Sequence, residues 1–184
     1  MRAMNNPDRP ARIAIVTVSD RAASGEYADR GGPGAEDWLR ATITSPVEIR
    51  RHTVPDGREG LADLLRKLAD RDACDLILLT GGTGPAPRDL TPEAVADVMD
   101  RELAGFGEEM RRASLAEVPT AILSRQTAAI RGASLMITLP GKPAAIATCL
   151  NAVFAAVPYC LDLIGAARIE TDPERIAAFR PKGG

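Results

Sequence analysis

The residues best suited to chemistry lie in one stretch, Thr80-Gly81-Gly82-Thr83-Gly84-Pro85, continuing to Arg88-Asp89-Leu90-Thr91-Pro92. Three glycines let the backbone turn tightly and present its N–H groups, an arrangement suited to a phosphate or another anion. Asp89 adds a carboxylate, and carboxylates joined by substrate phosphates are the usual ligands of Mg²⁺. A second carboxylate, Asp56, stands in the turn Pro55-Asp56-Gly57. Pro140-Gly141-Lys142-Pro143 offers another glycine turn that leads into a helix, whose N-terminus favours an anion. Two such strand-to-helix turns suggest two anionic groups held side by side. Each string also has a plainer reading. Pro-Asp-Gly is a common turn, Asp89 could simply flank a helix dipole, and a tight turn alone accounts for many Gly-Gly-Thr-Gly strings.

The elements around these residues alternate between strand and helix. Short apolar runs predict strands at Arg12–Val18, Val47–Val54 and Asp75–Thr80, and a hairpin at Gln126–Leu139. Helices are expected over about Ala35–Ala41, Arg58–Asp70, Thr91–Met99, Gly105–Leu115 and Ala144–Ala155, with a short one at Glu174–Phe179 behind Asp172-Pro173. Thr91 is expected as an N-cap, with Pro92 in the first turn. Ser19 to Gly34 reads as an unusually long polar loop, and such loops are often functional. The pattern predicts an α/β fold, a three-layer α/β/α sandwich with a mainly parallel sheet and an antiparallel edge strand. One domain is expected over 1–184, with 1–11 as a flexible arm. In open α/β sheets ligands bind beyond the carboxyl ends of the strands. Ser19-Asp20, Pro55-Asp56-Gly57, Gly81–Asp89 and Pro140–Pro143 all fall there.

Composition and missing motifs narrow the class. The chain has 184 residues, 45% of them hydrophobic, with a formal net charge of -2, which gives no electrostatic reason to expect nucleic acid. No apolar run is expected to approach the roughly 20 residues that span a bilayer. Cys74, Cys149 and Cys160 lack metal-ligand spacing and read as small buried thiols in a reducing cytoplasm. A P-loop, a dinucleotide fingerprint and a nucleophile elbow are all absent. The single histidine, His52, lies in a predicted strand and reads as structural, which excludes a Ser-His-Asp triad. Arg21, Arg88 and Arg125, judged one by one, read as solvated surface charges.

The strings IAIVTVSDRAASGEYADRGGP, LILLTGGTGPAPRDLTPEA, GFGEEMRRASL, PTAILSRQTAAIRG, LPGKP and VPYCLDL together resemble the bacterial molybdopterin adenylyltransferase family. The likeness runs over about Arg12 to Lys182. It implies a homotrimer that adenylylates the terminal phosphate of molybdopterin from ATP with Mg²⁺ and releases pyrophosphate. It also implies a cytoplasmic setting, and it leaves contact with a molybdate-inserting protein open. On this resemblance the functional aspartates are Asp56 and Asp89, which would hold the metal. The pterin and nucleotide contacts fall on Ser19, Asp20, Gly81, Gly82, Thr83, Gly84, Ser124, Pro140 and Gly141, with Lys142 facing a phosphate. Lys142 departs from the family pattern, which has an amide or serine there; Ala104 replaces a frequent proline, and the segment before VPYC is short. Other readings are a molybdopterin-binding or assembly module without catalysis, and a nucleotide hydrolase.

Overall fold

The computed structural model describes residues 9–181. Its centre is a six-stranded sheet in the order β2-β1-β3-β6-β5-β4. The strands are β1 (Ala11–Val18), β2 (Val47–Val54), β3 (Leu76–Thr80), β4 (Arg101–Glu102), β5 (Ala128–Arg131) and β6 (Ser134–Leu139). β2, β1, β3 and β6 run parallel, and β5 and β4 join antiparallel. The predicted parallel sheet with an antiparallel edge is therefore present. β4 is an addition that the sequence did not announce, because it has only two residues and both are exposed.

Side-chain parity along the strands builds two cores, since successive residues point to opposite faces. On one face Ile13, Ile15, Leu76, Leu78, Leu135 and Ile137 pack under α2 (Gly31–Thr42), α5 (Ala104–Leu115), α6 (Pro143–Val153) and α7 (Val157–Leu163). On the other face Ala14, Val16, Ile77, Leu79 and Met136 meet α3 (Glu59–Arg66) and α4 (Thr91–Ala96). Leu61 and Leu65 of α3 are buried at i, i+4 spacing, and truncating the fully buried Leu65 to alanine would destabilise by about 2–5 kcal/mol. Trp38 and Phe154 add an edge-to-face contact at 4.9 Å between centroids.

Several expectations change at the element ends. The long polar loop holds a short helix, α1 (Asp20–Ala23), and α2 begins at Gly31, four residues before Ala35. The helix after Arg58 ends in a π turn, Lys67–Arg71. Glu174–Phe179 is no helix; a turn spans 173–175, and the Phe179 N–H donates to the Ala155 carbonyl at 3.0 Å. Residues 1–8 of the expected arm lie outside the described residues. Next to them, Arg9 donates to the buried carboxylate of Asp75 at 2.6 and 2.8 Å, and Ala11 is already in β1. Pro143–Leu163 runs as 21 residues with a mean hydropathy of 1.8, long and apolar enough to cross a membrane by those two criteria. That differs from the expectation that no run comes near this length. Packing accounts for the composition, because Ile146, Cys149, Leu150 and Val153 of α6 are buried in the first core.

Candidate active site

Parallel pairing puts the carboxyl ends of β1, β2, β3 and β6 on one rim, and the four expected loops emerge there together. The loop after β3 passes very close to β1. A Cβ on Gly81 would lie 2.4 Å from the Val18 carbonyl oxygen, and one on Gly82 would lie 2.3 Å from Thr91 Oγ1. Both glycines have positive φ, +93° and +63°, so an L side chain would be strained as well as crowded. Thr91 stands inside α4 and not at its cap position, which Leu90 occupies. Its hydroxyl instead donates to the Gly81 carbonyl at 2.9 Å, and its N–H donates to the Gly82 carbonyl at 3.1 Å. The loop's carbonyls are thus satisfied. The N–H groups of Gly82, Thr83 and Gly84 donate to no acceptor among the described residues. Such a row of open donors matches what an anion needs.

Two cavities flank this loop and share Gly81, Gly82, Asp89 and Gly141. The first, about 230 Å³, also takes in Ser19, Asp29, Arg30, Asp56 and Arg88. The second, about 530 Å³, adds Thr83, Gly84, Ser124, Pro140 and Lys142, with apolar surface from Val118, Ala121 and Leu123. All the site residues expected from the sequence except Asp20 therefore line one or both cavities. Asp56 and Asp89, from separate loops, face the first.

Asp20 acts through Asp56. The Asp56 N–H donates to Asp20 Oδ1 at 3.0 Å, and the Asp20 N–H donates to Asp56 Oδ2 at 3.2 Å. Ser19 caps α1, its hydroxyl oxygen accepting from the Ala22 N–H at 3.3 Å. Asp89 Oδ2 accepts from the Ala86 N–H at 3.0 Å. The Oδ1 atoms of Asp56 and Asp89 make no hydrogen bond among the described residues. Asp56 thus spends one oxygen on the neighbouring α1 and Asp89 one on its own loop, and each keeps one for a ligand.

Three features escaped the sequence reading. Asp29 accepts from the Thr17 hydroxyl at 2.8 Å and from the Gly32 N–H at 3.0 Å, tying the start of α2 to β1 beside Asp56. An acid followed by glycines and Pro33 is a helix-start signal that could have located it. Arg30 and Arg88, both exposed, line the first cavity without an ion-pair partner among the described residues. Arg125 is not the solvated charge expected. It is half-buried and bonded to Glu93, to the Gly84 carbonyl at 3.0 Å and to the Asp89 carbonyl. Its hydrogen bond to Glu93 holds that carboxyl below its ordinary value. His52 is half-buried in β2 and lines neither of these two cavities. Cys74, Cys149 and Cys160 are free thiols, and burial pushes Cys74 up to about 11.

This geometry can be set beside known proteins. Residues 14–159 match the family described as the probable molybdopterin binding domain. The chain belongs to that family. A relative from Escherichia coli K12 named molybdopterin adenylyltransferase is 48% identical over 183 residues, covering 93% of this chain and 94% of the relative. One of the same name from Helicobacter pylori J99 is 49% identical over 170 residues, covering 92% and 97%. Among solved structures, the molybdopterin biosynthesis enzyme MoaB of Thermus thermophilus superposes with a TM-score of 0.77 at 40% identity, covering 84% of this chain and 96% of that one. The similarity thus spans the sheet and every loop of the rim.

Proposed function

We propose that this molybdopterin-binding family member transfers an adenylyl group from ATP to the terminal phosphate of molybdopterin, giving adenylyl-molybdopterin and pyrophosphate. One observation carries the reading: Asp56 and Asp89 face one cavity, and Asp89 and the open N–H row of Gly82–Gly84 border the adjoining one. A rim that joins two sites suits the joining of two substrates. The names of the Escherichia coli and Helicobacter pylori relatives support the same reaction.

The residues fit the chemistry. A phosphate monoester has a second pKa of about 6, so the nucleophile is already ionised at neutral pH. It needs no strong base, which agrees with a rim that has no histidine. The main obstacle is bringing two polyanions together. Two like charges about 4 Å apart repel by roughly 4 kcal/mol at an effective dielectric of 20. The Gly82–Gly84 N–H groups, Arg30, Arg88 and Lys142 offer fixed donors and positive charge against that repulsion, where charge develops in phosphoryl transfer.

A Mg²⁺ ion fits this donor set when shared with substrate. Among the described residues no group of three or more His, Cys, Asp or Glu could hold a metal by itself. Two carboxylates completed by phosphate oxygens are the usual arrangement for this ion. Asp56 and Asp89 would hold it through their open oxygens, and it would supply charge neutralisation between the reacting phosphates. Ser19 and Ser124 are placed for polar contacts with the bound substrates. The reading extends to a cytoplasmic homotrimer that meets a molybdate-inserting protein. Leu115, Val118, Ile122 and Leu123, near one another in sequence, are exposed large apolar residues that suit self-association.

The test is pyrophosphate release in the presence of ATP, Mg²⁺ and molybdopterin, with each omitted in turn. Asp56→Asn and Asp89→Asn should each lower the rate by roughly ten- to a thousandfold, as loss of one electrostatic stabiliser does, while the protein stays folded. Molybdopterin binding without pyrophosphate would favour a binding module. Release that does not depend on molybdopterin would favour a hydrolase.

A further inference from the structure

We propose that Arg125 is a positioning residue that sets Asp89 for its ligand by bracing both ends of the Gly84–Asp89 loop. The proposal deepens the adenylyl-transfer reading and rests on it for its kinetic arm. The loop projects from the rim, and its middle residues, Pro85 to Arg88, are exposed. Its internal bonds are few. The Asp89 N–H donates to the Ala86 carbonyl at 2.9 Å, and the Ala86 N–H donates back to Asp89 Oδ2 at 3.0 Å. Those bonds shape the turn but do not fix it to the sheet.

Arg125 supplies the missing attachment. Its Nε donates to the Gly84 carbonyl, where the loop begins, and its Nη2 donates to the Asp89 carbonyl, where the loop ends. The same guanidinium is bonded to Glu93 on the first turn of α4. Its main-chain N–H donates to the Thr83 carbonyl at 2.8 Å. One side chain thus reaches three acceptors in two segments, which a planar fork of five donors can do and a lysine ammonium cannot match.

The brace has a firm base. Arg111 of α5 donates to the Gln126 carbonyl at 2.7 Å. Gln126 is buried, and its amide nitrogen lies 3.2 Å from Cys149 Sγ in the core. Arg125 therefore transmits the rigidity of the first core to a loop on the surface. Its guanidinium lines neither cavity, so the proposed effect runs through Asp89 and not through substrate contact.

The test compares Arg125→Ala, Arg125→Lys and Glu93→Gln by two readouts. In hydrogen exchange, the Ala86 and Asp89 amides should exchange about tenfold faster in Arg125→Ala, with core amides of β3 unchanged, because only the local opening becomes easier. In kinetics, the Mg²⁺ concentration for half-maximal pyrophosphate release should rise by about tenfold or more, since a small misplacement of a positioned group is costly. Ethylguanidinium added to Arg125→Ala should restore part of the rate, and Arg125→Lys should fall between wild type and alanine. Glu93→Gln, which keeps both carbonyl contacts, should be milder than Arg125→Ala. Unchanged loop exchange in Arg125→Ala would overturn the proposal. So would faster exchange with an unaltered Mg²⁺ dependence, since the brace would then serve stability alone. If wild type itself released no pyrophosphate, the adenylyl-transfer reading would fail, and loop exchange would still decide whether Arg125 holds Asp89.

Discussion

Asp56 and Asp89 open onto the same cavity, but the chain holds them in opposite ways. Asp56 sits after β2 and is secured by another acid, Asp20, through a reciprocal pair of main-chain to carboxylate bonds at 3.0 and 3.2 Å. Asp89 sits after β3 and is secured by a cation, Arg125, which grips the backbone around it. The first arrangement gathers negative charge near the rim, and a divalent cation would relieve the repulsion between neighbouring carboxylates. The second braces the backbone on either side of the loop, and the Asp89 carboxylate itself accepts only from the Ala86 N–H. On the proposed reading Asp56 is the adaptable acid and Asp89 the preset one, and the two would share one metal ion.

Crowding the preset acid should have the largest effect. A Cβ on Gly84 would come within 2.7 Å of Asp89 Oδ2. Gly84→Ala should therefore lower pyrophosphate release by about 100-fold, the order expected when a reacting group is misplaced by an ångström. The thermal midpoint should shift little, because the loop lies outside both cores. If Gly84→Ala proved no worse than a change on the Asp56 side, the contrast between the two acids would be lost.

On the adaptable side the expected loss is smaller. Asp20→Ala removes the acceptor for the Asp56 N–H, and a hydrogen bond to a charged group is worth about 1.5–3 kcal/mol. Part of that reaches the transition state, so the rate should fall about tenfold, and added Mg²⁺ should recover some of it. Asp20→Asn keeps an oxygen for the N–H and should be nearly silent. Equal losses in the alanine and asparagine variants would mean that the charge of Asp20, and not its acceptor oxygen, is what matters.

The sequence carried the strands and rim loops well, because they depend on local signals. Ile13–Val18 and Leu76–Leu79 are apolar runs that only a buried strand explains, and Gly81 and Gly82 are required by the backbone itself. What it did not carry depends on partners distant in the chain. Thr91 looked like a cap because the threonine-proline pair is a helix start; its hydroxyl is taken by Gly81, ten residues earlier. Arg125 looked like any surface arginine, since nothing near it in sequence announces Gly84, Asp89 or Glu93. β4 exists because β5 offers it a partner. The Asp172-Pro173 signal opens a single turn, with Asp172 Oδ1 accepting from the Glu174 N–H at 3.0 Å, and goes no further because Arg180 binds Asp162 and the Phe179 N–H donates to the Ala155 carbonyl.

Acid should test the preset side selectively. The hydrogen bond from Arg125 keeps Glu93 below its ordinary value of 4.5. A carboxyl with a lowered folded pKa contributes stability that is complete above its unfolded value and lost as pH falls through the folded one. Loop exchange at Ala86 and Asp89 should therefore quicken below about pH 4.5, the unfolded glutamate range, and Glu93→Gln should abolish that dependence. The Asp20–Asp56 pair has no such cation to lose, so the Asp56 amide should lack the Glu93-dependent step.

A background acid response from His52 must be separated from this one, and it should be the smallest effect of all. His52 is the single histidine, and its Nε2 is buried without a hydrogen-bond partner among the described residues. Burial, with help from Lys67, lowers its pKa below 6.5. Protonation would place a charged N–H where nothing accepts it. The neutral form therefore belongs to the folded state, and its contribution is complete above pH 6.5 and fades as pH falls through the lowered value. A proton NMR titration should give one imidazole curve with a midpoint under 6.5. That midpoint should be the same in Asp89→Asn and Arg125→Ala, because His52 lines neither cavity of the rim. His52→Gln should remove the stability loss in that range and leave the Glu93-dependent loop opening at lower pH intact. A midpoint that moved with the Arg125 substitution would instead couple β2 to the preset loop, and the two acids could no longer be treated as independently held.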